Sequence, residues 1–255
     1  MLSADILYFI PSTRRPHNVE NMMSYGIEWR WIVADRQDYR DYMAAGAEMV
    51  IIRERSGLAG ARNTALGIAQ ATECLCLMCD DDMTGLYMTL GPDRDDMFPI
   101  GVADVAEQLR VAMMSIDTPL GAVLPVQNPY FSRQRIHTWA FCCARFMLVD
   151  PSLVRLNKHH DFKEDWLLTC YVLELAGCIV RLDNIIPYSA KSNIGGLSQR
   201  RTLNKDIEAA NRVLNMYPNL VKRSHRVGEL AMKHNILTMP QKAKDAYYIL
   251  NDLGV

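Results

Sequence analysis

Apolar residues fall in short bounded runs, and through the first half of the chain those runs alternate with helical patterns. Residues 6–10 read as a first strand, which runs into Pro11-Ser12-Thr13-Arg14-Arg15-Pro16. Residues 18–25 suit a short helix stopped by Gly26, because glycine readily takes the left-handed conformation that ends helices. A second strand over 29–34 ends at Asp35, a helix over 37–45 stops at Gly46, and a third strand covers 48–52. This order implies a doubly wound, mostly parallel sheet with flanking helices. Next, Ser56-Gly57-Leu58-Ala59-Gly60-Ala61-Arg62-Asn63 opens a helix running to about Ala71. It delivers the chain into Cys74-Leu75-Cys76-Leu77-Met78-Cys79, a run apolar on both alternating faces, as expected of a central strand. That run ends in Asp80-Asp81-Asp82.

The pattern is looser downstream. Residues 87–97, with Gly91-Pro92-Asp93, read as a loop and 103–114 as a helix. Strands over 121–126 and 138–149 are joined by a polar loop holding Arg133, Arg135 and His137. A helix from Asp161 to about Ala176 stops at Gly177, and 178–182 reads as a strand. Asp161 with Glu164 fits a capping box, and Phe162, Trp166, Cys170 and Leu173 form its apolar stripe. Helices are expected over 206–216, 220–234 and 241–250. The division is therefore 1–190 as an α/β domain and 191–255 as a basic segment with C-terminal helices.

Composition narrows the class. The chain has 255 residues, 49% of them hydrophobic, yet no apolar stretch crosses a bilayer and no charged-then-apolar leader follows Met1. Seven cysteines in apolar surroundings suit reduced core thiols, and a cytoplasmic location is expected. Alternation along a strand splits Cys74, Cys76 and Cys79 between faces, which argues against zinc. Net charge is −1, but residues 191–233 carry nine Lys or Arg against three Asp or Glu. A basic stretch on an acidic body permits an anionic partner.

Candidate chemistry centres on the acidic triplet. Three adjacent carboxylates repel, and a divalent cation relieves that; Mg²⁺-like ions take one or two carboxylates plus substrate phosphates. Read alone, the triplet also suits an acidic turn. Glycines at 57 and 60 let backbone approach a ligand, and the helix they open offers N–H groups and positive potential to a phosphate. Their spacing matches neither a dinucleotide fingerprint nor a P-loop. Hydroxyls and arginines after the first strand suit a nucleotide or phosphate, or a plain surface turn. Asp165 lies in the first turn of its helix, where the dipole favours the ionised form, able to accept a proton. His159 and His160 precede it. The loop from Lys191 to Arg201, cationic and glycine-hinged, suits either closure over a diphosphate or a plain linker.

A Gly-x-x-x-Ala-Arg-Asn helix followed by a strand ending in Asp-x-Asp resembles the GT-A glycosyltransferases across residues 5–190. The resemblance implies a Rossmann-like GT-A domain with a helical C-terminal extension, using a nucleotide diphosphate sugar (a UDP-sugar is expected) with Mn²⁺ or Mg²⁺. It implies Asp80 and Asp82 as metal ligands. Pro11, Ser12, Thr13, Arg14, Asp35, Gly57, Arg62, Asn63, Asp80, Asp81 and Lys191 would bind the donor. Asp165, paired with Glu164, would be the catalytic base of an inverting enzyme, or orient the acceptor in a retaining one. The Glu-Asp-Trp helix and Lys191-Ser-Asn-Ile-Gly-Gly-Leu are further similar to phage DNA-modifying, TET-associated glycosyltransferases acting on 5-hydroxymethylcytosine. That makes hydroxymethylated DNA the expected acceptor and the host cytoplasm the expected location. Alternatives are a polysaccharide or glycolipid acceptor, a sugar-phosphate nucleotidyltransferase, and a non-enzymatic DNA-binding protein.

Overall fold

The computed structural model describes residues 5–53, 57–132, 136–156, 162–190, 202–223, 232–234 and 239–253. The first third follows the expected order: β1 (Ile6–Pro11), α1 (Val19–Met23), β2 (Trp29–Val33), α2 (Arg36–Ala44), β3 (Met49–Ile52), α3 (Leu58–Ala71) and β4 (Leu75–Cys79). Asp35 caps α2, its carboxylate accepting the backbone N–H of Gln37 and Asp38. Gly26 and Gly46 take positive φ where α1 and α2 end, as their sequence positions imply.

Then follow β5 (Met83–Thr89), β6 (Met97–Pro99), α4 (Val102–Ser115), β7 (Leu120–Val123), β8 (Ile136–His137), β9 (Phe146–Val149), α5 (Glu164–Ala176), β10 (Val180–Leu182) and β11 (Ile185–Ser189). The chain closes with α6 (Leu203–Met216), β12 (Val221–Arg223), β13 (Met232–His234) and α7 (Gln241–Asp252).

Eight strands form one sheet in the order β3-β2-β1-β4-β9-β7-β10-β8. β3, β2, β1 and β4 run parallel, and β7 pairs in parallel with β10. β9 is inserted antiparallel between β4 and β7, and β8 lies antiparallel at the far edge. The architecture is thus a mixed α/β fold with a mostly parallel, Rossmann-like sheet. β4 sits mid-sheet with all five residues buried, as a two-faced apolar run demands. All seven cysteines are free, and Cys76 and Cys79 are packed inside β4. α3 packs on β1, β2 and β4, and α4 on β7, β9 and β10.

Several expectations need correction. The stretch 87–97 is not all loop: it takes in the end of β5 and the first residue of β6, and β5 pairs antiparallel with β11 and β6 in a separate three-stranded sheet. The stretch 138–149 becomes strand only from Phe146; its earlier part is held by single bonds, with Thr138 Oγ1 donating to the Ala243 carbonyl at 2.5 Å and the Thr138 carbonyl accepting the Ile179 N–H at 3.0 Å. The expected helix over 220–234 is replaced by β12 pairing antiparallel with β13. The C-terminal extension therefore mixes helices with a two-stranded ribbon.

α5 begins at Glu164, with Lys163 at its N-cap in the left-handed region (φ 60°) and no capping side chain. Glu164 is therefore the first helical residue rather than the third of a capping box. The buried face of α5 is also wider than the expected stripe: Leu167, Leu168, Val172 and Leu173 are buried, while Phe162 and Trp166 are partly exposed. Asp161, His159, His160, Arg133 and Arg135 lie outside the described residues. No helix among the described residues is long and apolar enough to cross a membrane.

Candidate functional site

The four parallel strands β1 to β4 end on one side of the sheet, and the residues just beyond each end line a single cleft of about 650 Å³. Pro11 ends β1 and Ser12, Thr13, Arg14 and Arg15 follow it, Ala34 and Asp35 follow β2, Arg53 follows β3, and Asp80, Asp81 and Asp82 follow β4. Gly57, Leu58, Ala61 and Arg62 contribute the start of α3; Lys163, Glu164, Asp165 and Trp166 contribute the start of α5. Open α/β sheets bind ligands at this end of the strands, where strand order reverses. Here the reversal falls between β1 and β4, and Ser12 donates to Asp81 across it.

The three adjacent carboxylates have different surroundings. Asp81 is 4% exposed and fully engaged, receiving the Ser12 hydroxyl and, at 2.8 Å, the Arg15 guanidinium. Burial raises its pKa, and Arg15 and Ser12 pull it back. Asp82 has Arg15 at 3.8 Å. Asp80 has Arg62 at 3.6 Å and a side chain 40% exposed to the cleft. Partial burial, with Asp82 and Asp81 beside it, pushes it up to about 6, against the pull of Arg62. The chain therefore supplies counter-cations from elsewhere in the sequence for a triplet that has none beside it.

Arg62 joins the two acidic corners. Its side chain is 4% exposed, bonded to Glu164 and close to Asp80. Burial works against its charge, but Glu164, Asp80 and Asp165 outweigh it and hold the guanidinium protonated above its ordinary range. Burial likewise pushes Glu164 up to about 7, with Arg62 opposing. Glu164 is 6% exposed and tied to Arg62, so it positions the site. Asp165 sits at the second helical residue, lines the cleft, and accepts the Trp166 N–H at 2.9 Å. Trp166 stacks on Phe141 and has the Lys163 ammonium 5.5 Å from its ring centre.

Of the residues expected to bind a donor, the structure gives Asn63 another task. Its amide donates to the Leu156 carbonyl and accepts the Leu156 N–H, both at 3.0 Å, and it does not line the cleft. Arg62 lines the cleft, with Glu164 and Asp80 as its carboxylate partners. Lys191, Ser56 and the whole 191–201 loop lie outside the described residues. Sequence reasoning missed Arg53 and Arg145 as lining residues and Asp38 as the support of the first loop. Asp38 is 4% exposed and accepts Thr13 Oγ1–H at 2.7 Å and Arg14 N–H at 3.2 Å. A carboxylate three residues past a cap, on the inward side of a helix, was the available signal.

For a divalent cation the donor set fits in kind: Asp80 and Asp82 place hard carboxylate oxygens on the cleft wall. Among the described residues no group of three or more His, Cys, Asp or Glu converges as a ready cation site. An ion completed by substrate phosphates does not require one.

No protein-family model matches the chain, and neither does any curated protein. Among solved structures that match, the crystal structure of A197 from STIV aligns over 74% of this chain and 86% of that one, at 12% identity and a TM-score of 0.44.

Proposed function

We propose that the chain is a nucleotide-sugar glycosyltransferase of GT-A type. The observation that carries the reading is convergence: the acidic tip of β4, the glycine-opened start of α3 and Asp165 on α5 line one cleft beyond β1 to β4. In the proposed geometry the nucleoside lies over the β1 and β2 ends, where Thr13, Arg14 and Asp35 offer both acceptors and donors. The diphosphate lies toward the start of α3, whose dipole favours anions. Gly57, at φ 87°, gives that helix an entry a side chain would strain. Mn²⁺ or Mg²⁺, held by Asp80 and Asp82, would supply the positive charge that stabilises the departing diphosphate.

Asp165 takes the proton of the acceptor hydroxyl if configuration inverts, or orients that hydroxyl if it is retained. Glu164 and Arg62 fix the start of α5 against the tip of β4, so donor and acceptor corners keep a set separation. The proposed acceptor is 5-hydroxymethylcytosine in DNA, a reading supported by the Glu-Asp-Trp helix and the basic composition of 191–233.

The test is transfer from UDP-sugars with Mn²⁺ to hydroxymethylated DNA and, in parallel, to carbohydrate acceptors. Asp165→Asn should abolish transfer and leave UDP affinity near the parent's. An Asp165→Asn protein that still transfers sugar refutes the assignment of the base. Transfer to carbohydrate alone replaces the acceptor and keeps the enzyme.

A further inference from the structure

The loop after β1 is built by α2 rather than by its own sequence. Asp38 and Tyr42 stand one turn apart on the inward side of that helix, both buried. Asp38 accepts three donors: the Thr13 hydroxyl at 2.7 Å, the Arg14 N–H at 3.2 Å and the Ala34 N–H at 3.3 Å. Tyr42 Oη accepts the Arg15 N–H at 3.1 Å and bonds Ser12 Oγ. Ser12 gives its own proton to Asp81, so Tyr42 must donate to Ser12. The result is one directed chain, from Arg15 N–H through Tyr42 and Ser12 to the Asp81 carboxylate. Arg14 meanwhile holds φ 56°, a conformation costly for a residue with a side chain. Two amides and a hydroxyl anchored on Asp38 and Tyr42 offset that cost.

We propose that Asp38 and Tyr42 are positioning residues that preform the nucleoside-binding loop and lock it to the acidic tip of β4. Neither lines the cleft, so their effect on a ligand passes through Ser12, Thr13, Arg14 and Asp81. The proposal rests on reading this cleft as a nucleoside-diphosphate site, and it deepens that reading by assigning its rigidity to α2. A preformed loop spares the ordering entropy otherwise lost on binding, so the effect falls on donor affinity more than on turnover.

The test uses Tyr42→Phe and Asp38→Asn in the full chain. Tyr42→Phe removes one hydroxyl with the ring retained; Asp38→Asn keeps the shape, and with its amide oxygen turned to the two donors at Oδ2, Thr13 and Ala34, it sets an NH₂ against the Arg14 N–H. Hydrogen exchange at the Arg14 and Arg15 amides, without ligand, should quicken about tenfold or more: at Arg15 in Tyr42→Phe and at Arg14 in Asp38→Asn. Calorimetry with UDP and Mn²⁺ should show Kd weakened about tenfold, with kcat at saturating donor changed less than about threefold. Parent-like exchange at both amides would overturn the proposal. So would a lowered melting temperature with unchanged UDP affinity, which is what a merely structural role gives. If the parent protein itself binds no nucleoside diphosphate, the proposed function falls, and the exchange rates still decide whether α2 sets the loop.

Discussion

Replacing Arg62 by methionine keeps most of the side-chain volume and removes the only cation bonded to Glu164 among the described residues, leaving a 6% exposed carboxyl beside Asp80 and Asp165. Breaking a buried pair from one side typically costs about 3–5 kcal/mol, and urea unfolding of Arg62→Met should show a loss of that order at pH 8. The sign of its pH dependence follows from Glu164. Its folded pKa is raised by burial from 4.5 to about 7, and Arg62 is what pulls it down. Without Arg62 it rises further. A carboxyl raised on folding stabilises the native state fully below its unfolded value and loses that contribution as pH climbs through the folded one. The variant should therefore lose stability between pH 5 and 8 more steeply than the parent, and be closest to it at pH 5. Adding Glu164→Leu should recover most of the loss, since an apolar pair of similar volume often matches a buried ion pair. A variant equally weakened at both pH values would place the cost elsewhere than in Glu164. None of this pairing was legible in the sequence: Arg62 and Glu164 are 102 residues apart, and nothing local distinguishes a capping carboxylate from a buried partner.

At the scale of elements, α4 lies close on β7 at Gly121. A Cβ built there would meet Met113 Sδ at 2.8 Å and Leu109 Cδ2 at 3.2 Å. Gly121→Val should cost about 1–3 kcal/mol through overpacking, read as a lower urea midpoint with unchanged slope, and Met113→Ala should relieve part of it. Where elements were legible, the cause was local. β1 to β4 are each short, apolar and closed by a polar, Gly or acidic turn, so their pattern needs no partner to be read. β5 and β11 escaped because Gly85 and Pro187 interrupt them, and their strand character comes from pairing across about a hundred residues of intervening chain, Leu86 opposite Pro187. The 220–234 stretch has helical spacing, yet Val221 pairs with His234, and that non-local ladder outweighs propensity.

At the scale of the whole molecule, the cleft exists because four parallel strands end together and two helices, α3 and α5, begin where those strands stop. The sequence carried this much because glycines, carboxylates and helix starts mark their own positions. The cations that balance the acids did not show: Arg15 reaches Asp81 over 66 residues, and only the sheet order brings them together. A ligand bridging the β1 loop, the start of α3 and the tip of β4 would tie together elements spanning the N-terminal third, so binding should register as global stability. At a free concentration 100 times Kd the gain is about 2.7 kcal/mol. For a chain of this length, about 2–4 °C per kcal/mol translates that into a rise in melting temperature of roughly 5–10 °C. A thermal melt with a UDP-sugar and Mn²⁺ should show such a rise, and it should shrink sharply with either component alone. Asp80→Asn and Asp82→Asn should erase the Mn²⁺-dependent part, whereas Asn63→Ala should lower the ligand-free melting temperature and leave the ligand-induced rise intact, because Asn63 holds Leu156 rather than the cleft. Were the rise to survive in Asp80→Asn and Asp82→Asn alike, the ion, and with it the diphosphate, would have to sit away from the end of β4.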